Sequence, residues 1–207
     1  FNIAVAMSNA LSSSLIPSLT RAVAEKDRKQ TLEKVQMAVR FSMIIAIPSA
    51  VGLCVLSGPI NNLLFSGDDN TLLIKITIAG ALAVVFFSLS TVSNAILQGL
   101  NHMNIPMRNA AIALIIHIGA LEVMLLVFHW GLYSVVFANI IFSFLMCLLN
   151  AAAIRRYLRY RQEIRKTFLI PAVAALIMGG AAYGVYHGIY SLTHMNGLGT
   201  GAGIAAA

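Results

Sequence analysis

Residues 21–65 read RAVAEKDRKQTLEKVQMAVR followed by FSMIIAIPSAVGLCVLSGPINNLLF, and the change of character at Phe41 decides the fold. Arg21–Arg40 holds six basic residues, namely Arg21, Lys26, Arg28, Lys29, Lys34 and Arg40, while Phe41–Phe65 holds no charged residue. A bilayer core of about 30 Å is crossed by roughly 20 mostly apolar residues in a helix. Phe41–Phe65 therefore reads as a membrane span and Arg21–Arg40 as its polar approach. The same alternation extends in both directions. Apolar runs occupy Phe1–Thr20, Ile76–Leu100, Asn109–Phe128, Tyr133–Ile154 and Phe168–Tyr190, with short polar connections between them. The runs are helices because backbone groups in lipid must be satisfied within the segment. A membrane β-barrel would show alternating stretches of about ten residues instead.

Composition agrees. Of 207 residues, 59% are hydrophobic and 10% charged, the mean hydropathy is +0.84, and soluble domains carry about 25% charged residues. These values exclude a water-soluble globule, and they exclude a disordered chain, which would be rich in charge and poor in apolar residues. The expected fold is an all-α polytopic membrane protein with six transmembrane helices and a truncated seventh beginning in the Gly/Ala-rich residues 197–207.

The net charge of +7 reflects topology, not nucleic-acid binding. Thirteen of the fourteen Lys and Arg residues fall in three alternate connections, 21–40, 101–108 and 155–167, and only Lys75 lies on the other side. Basic residues in short loops stay cytoplasmic, so the three connections face the cytoplasm of a plasma membrane. Arg21–Arg40 reads either as a solvated linker or as a helical extension lying at the interface. Cys54 and Cys147 sit inside apolar runs and read as small buried hydrophobes rather than a disulfide pair.

Glu122 stands inside an apolar run, where an acid costs at least about 2.5 kcal/mol on insertion scales. It reads as a proton or cation site, with His129 seven residues on and nearly on the same face, or as a neutral acid fixing helix packing. His117 lies well off that face. Ser90, Asn94 and Gln98 share one face of the third run, and Asn139, Ser143 and Asn150 mark the fifth. Such polar faces either line a wet cavity or bond across helices. Pro48 is a candidate helix kink, and Gly180, Gly184 and Gly188 form small-xxx-small spacing for close helix contact. No cofactor, metal or hydrolase motif is present.

Several segments carry a resemblance. ALSSSLIPSLTRAVAEKDRKQTLEKVQMAVRFSMIIAIPSAVGLCVLSGPINNLLF (Ala10–Phe65), ILQGLNHMNIPMRN (Ile96–Asn109) and NAAAIRRYLRY (Asn150–Tyr160) resemble the polysaccharide-biosynthesis and lipid-flippase branch of the MATE-like (MOP) exporter superfamily. Within it, the sequence is most similar to the stage V sporulation protein B group and the MurJ-type lipid II flippases. The resemblance implies a fourteen-helix transporter of two pseudo-symmetric halves. Residues 1–160 would be most of the second half-bundle, and 161–207 an extra C-terminal helix pair with its second helix cut short. The implied activity is the flipping of an undecaprenyl-pyrophosphate-linked cell-wall precursor by alternating access, with a proton or sodium ion as possible driver. In such flippases the central cations lie mainly in the first half. Arg21, Arg40 and Arg108, at cytoplasmic helix ends, are the cations here placed to attract the headgroup. The alternatives are a MATE-type multidrug antiporter and a membrane-embedded cell-wall glycosyltransferase, the latter requiring outer-face groups such as Asp68, Asp69, His129 and His194.

Overall fold

The computed structural model describes residues 2–64, 70–158 and 165–185. The Asp68–Asp69 turn, Arg159, Arg161, Gly188, His194 and the helix expected from residue 197 lie outside them. Seven helices are described: α1 (Asn2–Ala24), α2 (Arg28–Val55), α3 (Ser57–Leu64), α4 (Thr71–Gly99), α5 (Asn104–Leu126), α6 (Leu132–Leu158) and α7 (Arg165–Val185). The first residues of α7, Arg165–Leu169, form a wide π-type turn. Pro171, which has no N–H to return to the carbonyl four residues back, lies just beyond that turn. Among the described residues, α2, α4, α5, α6 and α7 are five helices long and apolar enough to cross a membrane. The first run forms a helix as expected, α1, which carries Ser8, Ser12, Ser13, Ser14 and Ser18 and is not among those five.

Two expected boundaries move. The long basic connection after the first run is mostly helix. α1 continues to Ala24 and α2 already starts at Arg28. The turn between them is built from local hydrogen bonds. Lys26 takes a left-handed conformation (φ 56°), and the N–H groups of Lys26 and Asp27 return to the carbonyls of Val23 and Ala22, which terminates α1. Asp27 then caps α2, its Oδ1 accepting from the Gln30 N–H at 2.9 Å. The second run, expected as one span, divides at Leu56. Helix α2 runs through Pro48 and stops at Val55, and the short α3 follows with Pro59 in its first turn, where no N–H is needed.

Helix α4 is central and packs against α1, α2 and α6. Helix α5 leans on α6 with a smaller contact to α4, and α7 lies along α2. The buried apolar core gathers at the basic end, where Leu15 and Leu19 of α1, Val35 and Val39 of α2, Val92, Ile96 and Leu97 of α4, and Ile154 of α6 meet. Three contacts tie the basic connections together at that end. Thr20 Oγ1 reaches the Gly99 carbonyl at 3.3 Å, Arg28 Nη2 donates to the Leu158 carbonyl at 3.3 Å, and the His102 and Tyr157 rings stack with centroids 4.1 Å apart. The alternate connections inferred from charge therefore share one end of the bundle. At the other end, Phe128, Trp130 and Phe137 form a ring ladder with centroid spacings of 5.5 and 5.6 Å, aromatic side chains of the kind that settle at a membrane–water boundary.

Lipid tails are as apolar as leucine, so helices in a bilayer associate through close approach and hydrogen bonds. Close approach between α7 and α2 falls on Gly179, where a Cβ would sit 2.7 Å from Val51 Cγ1. Gly180 and Gly184 have open space around the Cβ position instead. The stripe expected at Gly180, Gly184 and Gly188 is thus replaced, in its described part, by the neighbouring Gly179, because the rotation of α7 turns that residue inward. Gly179→Val is expected to push α7 off α2. A thiol cross-linker joining cysteines placed at Ile44 and Ala174, which line one groove between these helices, should then react several-fold more slowly. An unchanged rate would show that α7 is seated by other contacts.

Candidate functional site

The polar residues of α4 and α6 meet in the bundle interior, together with one that the sequence did not single out. Asn109 Nδ2 donates to Asn150 Oδ1 at 2.9 Å, and Asn150 Nδ2 donates to Asn94 Oδ1 at 2.7 Å. Asn150 is wholly buried and Asn109 nearly so. Three amides thus run in a donor-to-acceptor line across α5, α6 and α4. Of the two expectations for these polar faces, bonding across helices is what Asn94 and Asn150 do. Asn109 stands alone at the start of its run, where no helical spacing of polar residues marks it. The available signal was that each of the three lies toward the basic end of its own run. Gln98, on the Asn94 face, is half-buried. Cys147 adds a further α6–α4 link, its Sγ lying 3.0 Å from the Phe86 carbonyl.

His117 and Glu122 separate as their spacing demands, since five residues turn a helix by about 140°. His117 faces α6, with Nδ1 2.9 Å from the Ala138 carbonyl and its ring edge-on to Phe142 at 5.7 Å. Glu122 points outward from α5, among the exposed Ile115, Val123 and Leu126. No hydrogen bond or ion pair reaches it from the described residues. His129 is also exposed, in the turn after α5, with φ 51°. The two are not brought together with Asn94 or Gln98. Among the described residues no group of three His, Cys, Asp or Glu side chains could hold a metal ion.

The cations form the rims of two grooves. Arg40, half-buried, lines a groove of about 330 Å³ with Ile44 and Pro48 of α2 and Lys166, Ile170 and Pro171 of α7. A second groove of about 450 Å³ runs between α1 and α2, walled by Leu11, Met37 and Phe41, with Ser14, Ser18 and Lys34 toward its basic end. Lys34 is held there by its Nζ donating to the Ser18 carbonyl at 2.7 Å. Arg21 and Arg108 are exposed at the basic ends of α1 and α5. Arg21 adjoins a polar stripe, because Asn9, Ser13 and Thr20 are exposed at helical spacing along α1. The Ser13 and Thr20 hydroxyls bond back to the carbonyls of Asn9 and Ile16. This internal satisfaction lets a membrane-length helix keep a polar outward face.

The comparisons with known proteins agree with this layout. Over 116 residues the chain is 27% identical to the lipid II flippase MurJ of Bacillus subtilis (strain 168), a match covering 55% of this chain and 21% of that protein. Over 96 residues it is 25% identical to the uncharacterized membrane protein YabM of the same organism, covering 46% of this chain and 18% of the relative. The chain thus spans about a fifth of the length of these curated relatives. No solved structure matches it. A family model for the lipid II flippase MurJ matches residues 4–195, which takes in every apolar helix described above, and the chain therefore belongs to the lipid II flippase MurJ family, whose members lie in the bacterial plasma membrane and cross it several times.

Proposed function

We propose that the full-length protein carries an undecaprenyl-pyrophosphate-linked cell-wall precursor, lipid II or a related polysaccharide unit, from the inner to the outer leaflet by alternating access. Residues 1–160 form most of its second half-bundle, and 161–207 begin an additional helix pair. The family match carries this reading. The polar outward face of α1 supports it. A helix packed on one side against α2 and α4, and exposing Asn9, Ser13 and Arg21 away from that contact, is suited to line a water-filled passage opposite the rest of the protein. The pyrophosphate would meet cations at the basic end of that passage while the polyprenyl tail stays in lipid.

Depleting the full-length gene should cause the undecaprenyl-linked precursor to accumulate on the inner leaflet. Precursor levels and sidedness that stay normal would remove the flippase reading. Arg21→Gln in the full-length protein is expected to lower flipping several-fold at normal expression, and wild-type flipping would take Arg21 out of the pathway. Glu122 fits an ion-coupling role in the same reading. An acid exposed in mid-span is costly against lipid, so it needs water or polypeptide supplied by the remainder of the protein. Glu122→Gln should then abolish the dependence of flipping on the ion gradient, and a variant that keeps this dependence would sink the coupling role.

A further inference from the structure

Two of the basic connections contain matching turns. Helix α4 closes as α1 does: Asn101 is left-handed (φ 63°), and the N–H groups of Asn101 and His102 return to the carbonyls of Gln98 and Leu97. These turns deliver Lys26 and His102 to the same place. They line a pocket of about 300 Å³ together with Arg28 from the start of α2 and Tyr157 from the end of α6, over an apolar floor that includes Leu100 and Leu158. Arg28 is anchored by Nη2 to the Leu158 carbonyl at 3.3 Å, and His102 is fixed by stacking on Tyr157 at 4.1 Å. Neither acid of the first turn lines the pocket, and the Asp27 carboxylate is occupied at the α2 N-terminus.

Membrane topology requires only that cations be numerous on one side. It does not require them to converge from separate connections on one cavity, held by a carbonyl and by a ring. We propose that this pocket binds a phosphate group, with Lys26, Arg28 and His102 donating to its oxygens and the Leu100–Leu158 floor accepting the carbon next to it. The ligand is a phosphomonoester or phosphodiester, either an anionic lipid headgroup of the inner leaflet or free phosphate. Three donors converging on one anion suit phosphate, whose several oxygens accept charge-assisted hydrogen bonds at once. The site lies at the end of the bundle, apart from the α1 face assigned to the cargo.

The test uses full-length protein in detergent, titrated separately with short-chain phosphatidylglycerol, short-chain phosphatidylcholine and inorganic phosphate. The wild type should bind phosphatidylglycerol or inorganic phosphate, and zwitterionic phosphatidylcholine much more weakly. Binding of phosphatidylglycerol alone identifies the lipid source, and binding of inorganic phosphate identifies the free anion. The K26Q/R28Q variant should weaken binding by about tenfold or more, the scale of losing a charge-assisted hydrogen bond. Lys26→Gln alone removes a cation whose amine bonds to no described residue, and so guards against a folding defect from Arg28. K29Q/R156Q removes as much charge from the same end outside the pocket, and should leave affinity within about twofold, a free-energy change well under 1 kcal/mol. Absence of binding, an unchanged K26Q/R28Q variant, or equal weakening by K29Q/R156Q would each overturn the site.

Discussion

Asn150→Leu is expected to destabilise the full-length protein by about 1–3 kcal/mol, because it removes two interhelix bonds and orphans two amides at once. Leucine keeps the branched skeleton of asparagine but is bulkier, so overpacking adds to the loss of the two bonds. The buried Asn109 Nδ2 and the Oδ1 of the half-buried Asn94, which now meet Asn150 at 2.9 and 2.7 Å, would lose that partner. The sign follows from asymmetry: making a buried bond contributes modestly, whereas leaving one partner without it costs the desolvation of that group. A triple replacement of Asn94, Asn109 and Asn150 by leucine should therefore be less destabilised than the sum of the single replacements. Thermal or denaturant unfolding in detergent would measure both. Strict additivity would show that the three amides act independently and that the line across α4, α5 and α6 is not a cooperative unit.

Gly99→Ala should destabilise by about 1–3 kcal/mol, the usual cost of overpacking a close contact. The added Cβ would lie 2.9 Å from Leu19 Cδ2 and 3.0 Å from Leu19 Cβ. Leu19 is fully buried and cannot swing aside. Alanine has a higher helix propensity than glycine by about 1 kcal/mol in a helix interior, but Gly99 is the last residue of α4, so that gain is only partly realised and the clash prevails. Leu19→Ala placed on top of Gly99→Ala should recover part of the loss, measured as a coupling in a double-mutant cycle. If the two changes simply add, the α1–α4 contact does not set the requirement for glycine. This contact also explains two of the segments that carried the family resemblance. The Pro-Ser-Leu element ending the first run and the Gln-Gly-Leu element ending the third are the two sides of one junction, locked by Leu19 on Gly99 and by the Thr20 hydroxyl on the Gly99 carbonyl.

The all-helical polytopic fold and the order of its apolar helices could be read along the chain, but not the division of the second run at Leu56. In a bilayer the hydrophobic length of a segment and the side on which its cations remain are set by transfer free energies, which depend on composition and order alone. Phe41, where charge stops, and Arg155, where it resumes in the last turn of α6, mark those limits directly. The ends of helices were less legible. The stop at Ala24 and restart at Arg28 rest on one left-handed lysine and one capping aspartate, local hydrogen bonds that hydropathy does not register.

What the linear pattern could not supply was the rotation of each helix about its axis. Gly179 rather than Gly180 meets α2, Asn109 joins Asn150 and Asn94, and Glu122 turns outward while His117 turns toward α6. A rotation of about 100° per residue separates these outcomes. In lipid, where an apolar residue is nearly as content facing the tails as facing another helix, few apolar side chains report which way a helix is turned. That choice falls to a small number of close contacts and buried hydrogen bonds, and these exist only once the helices are assembled.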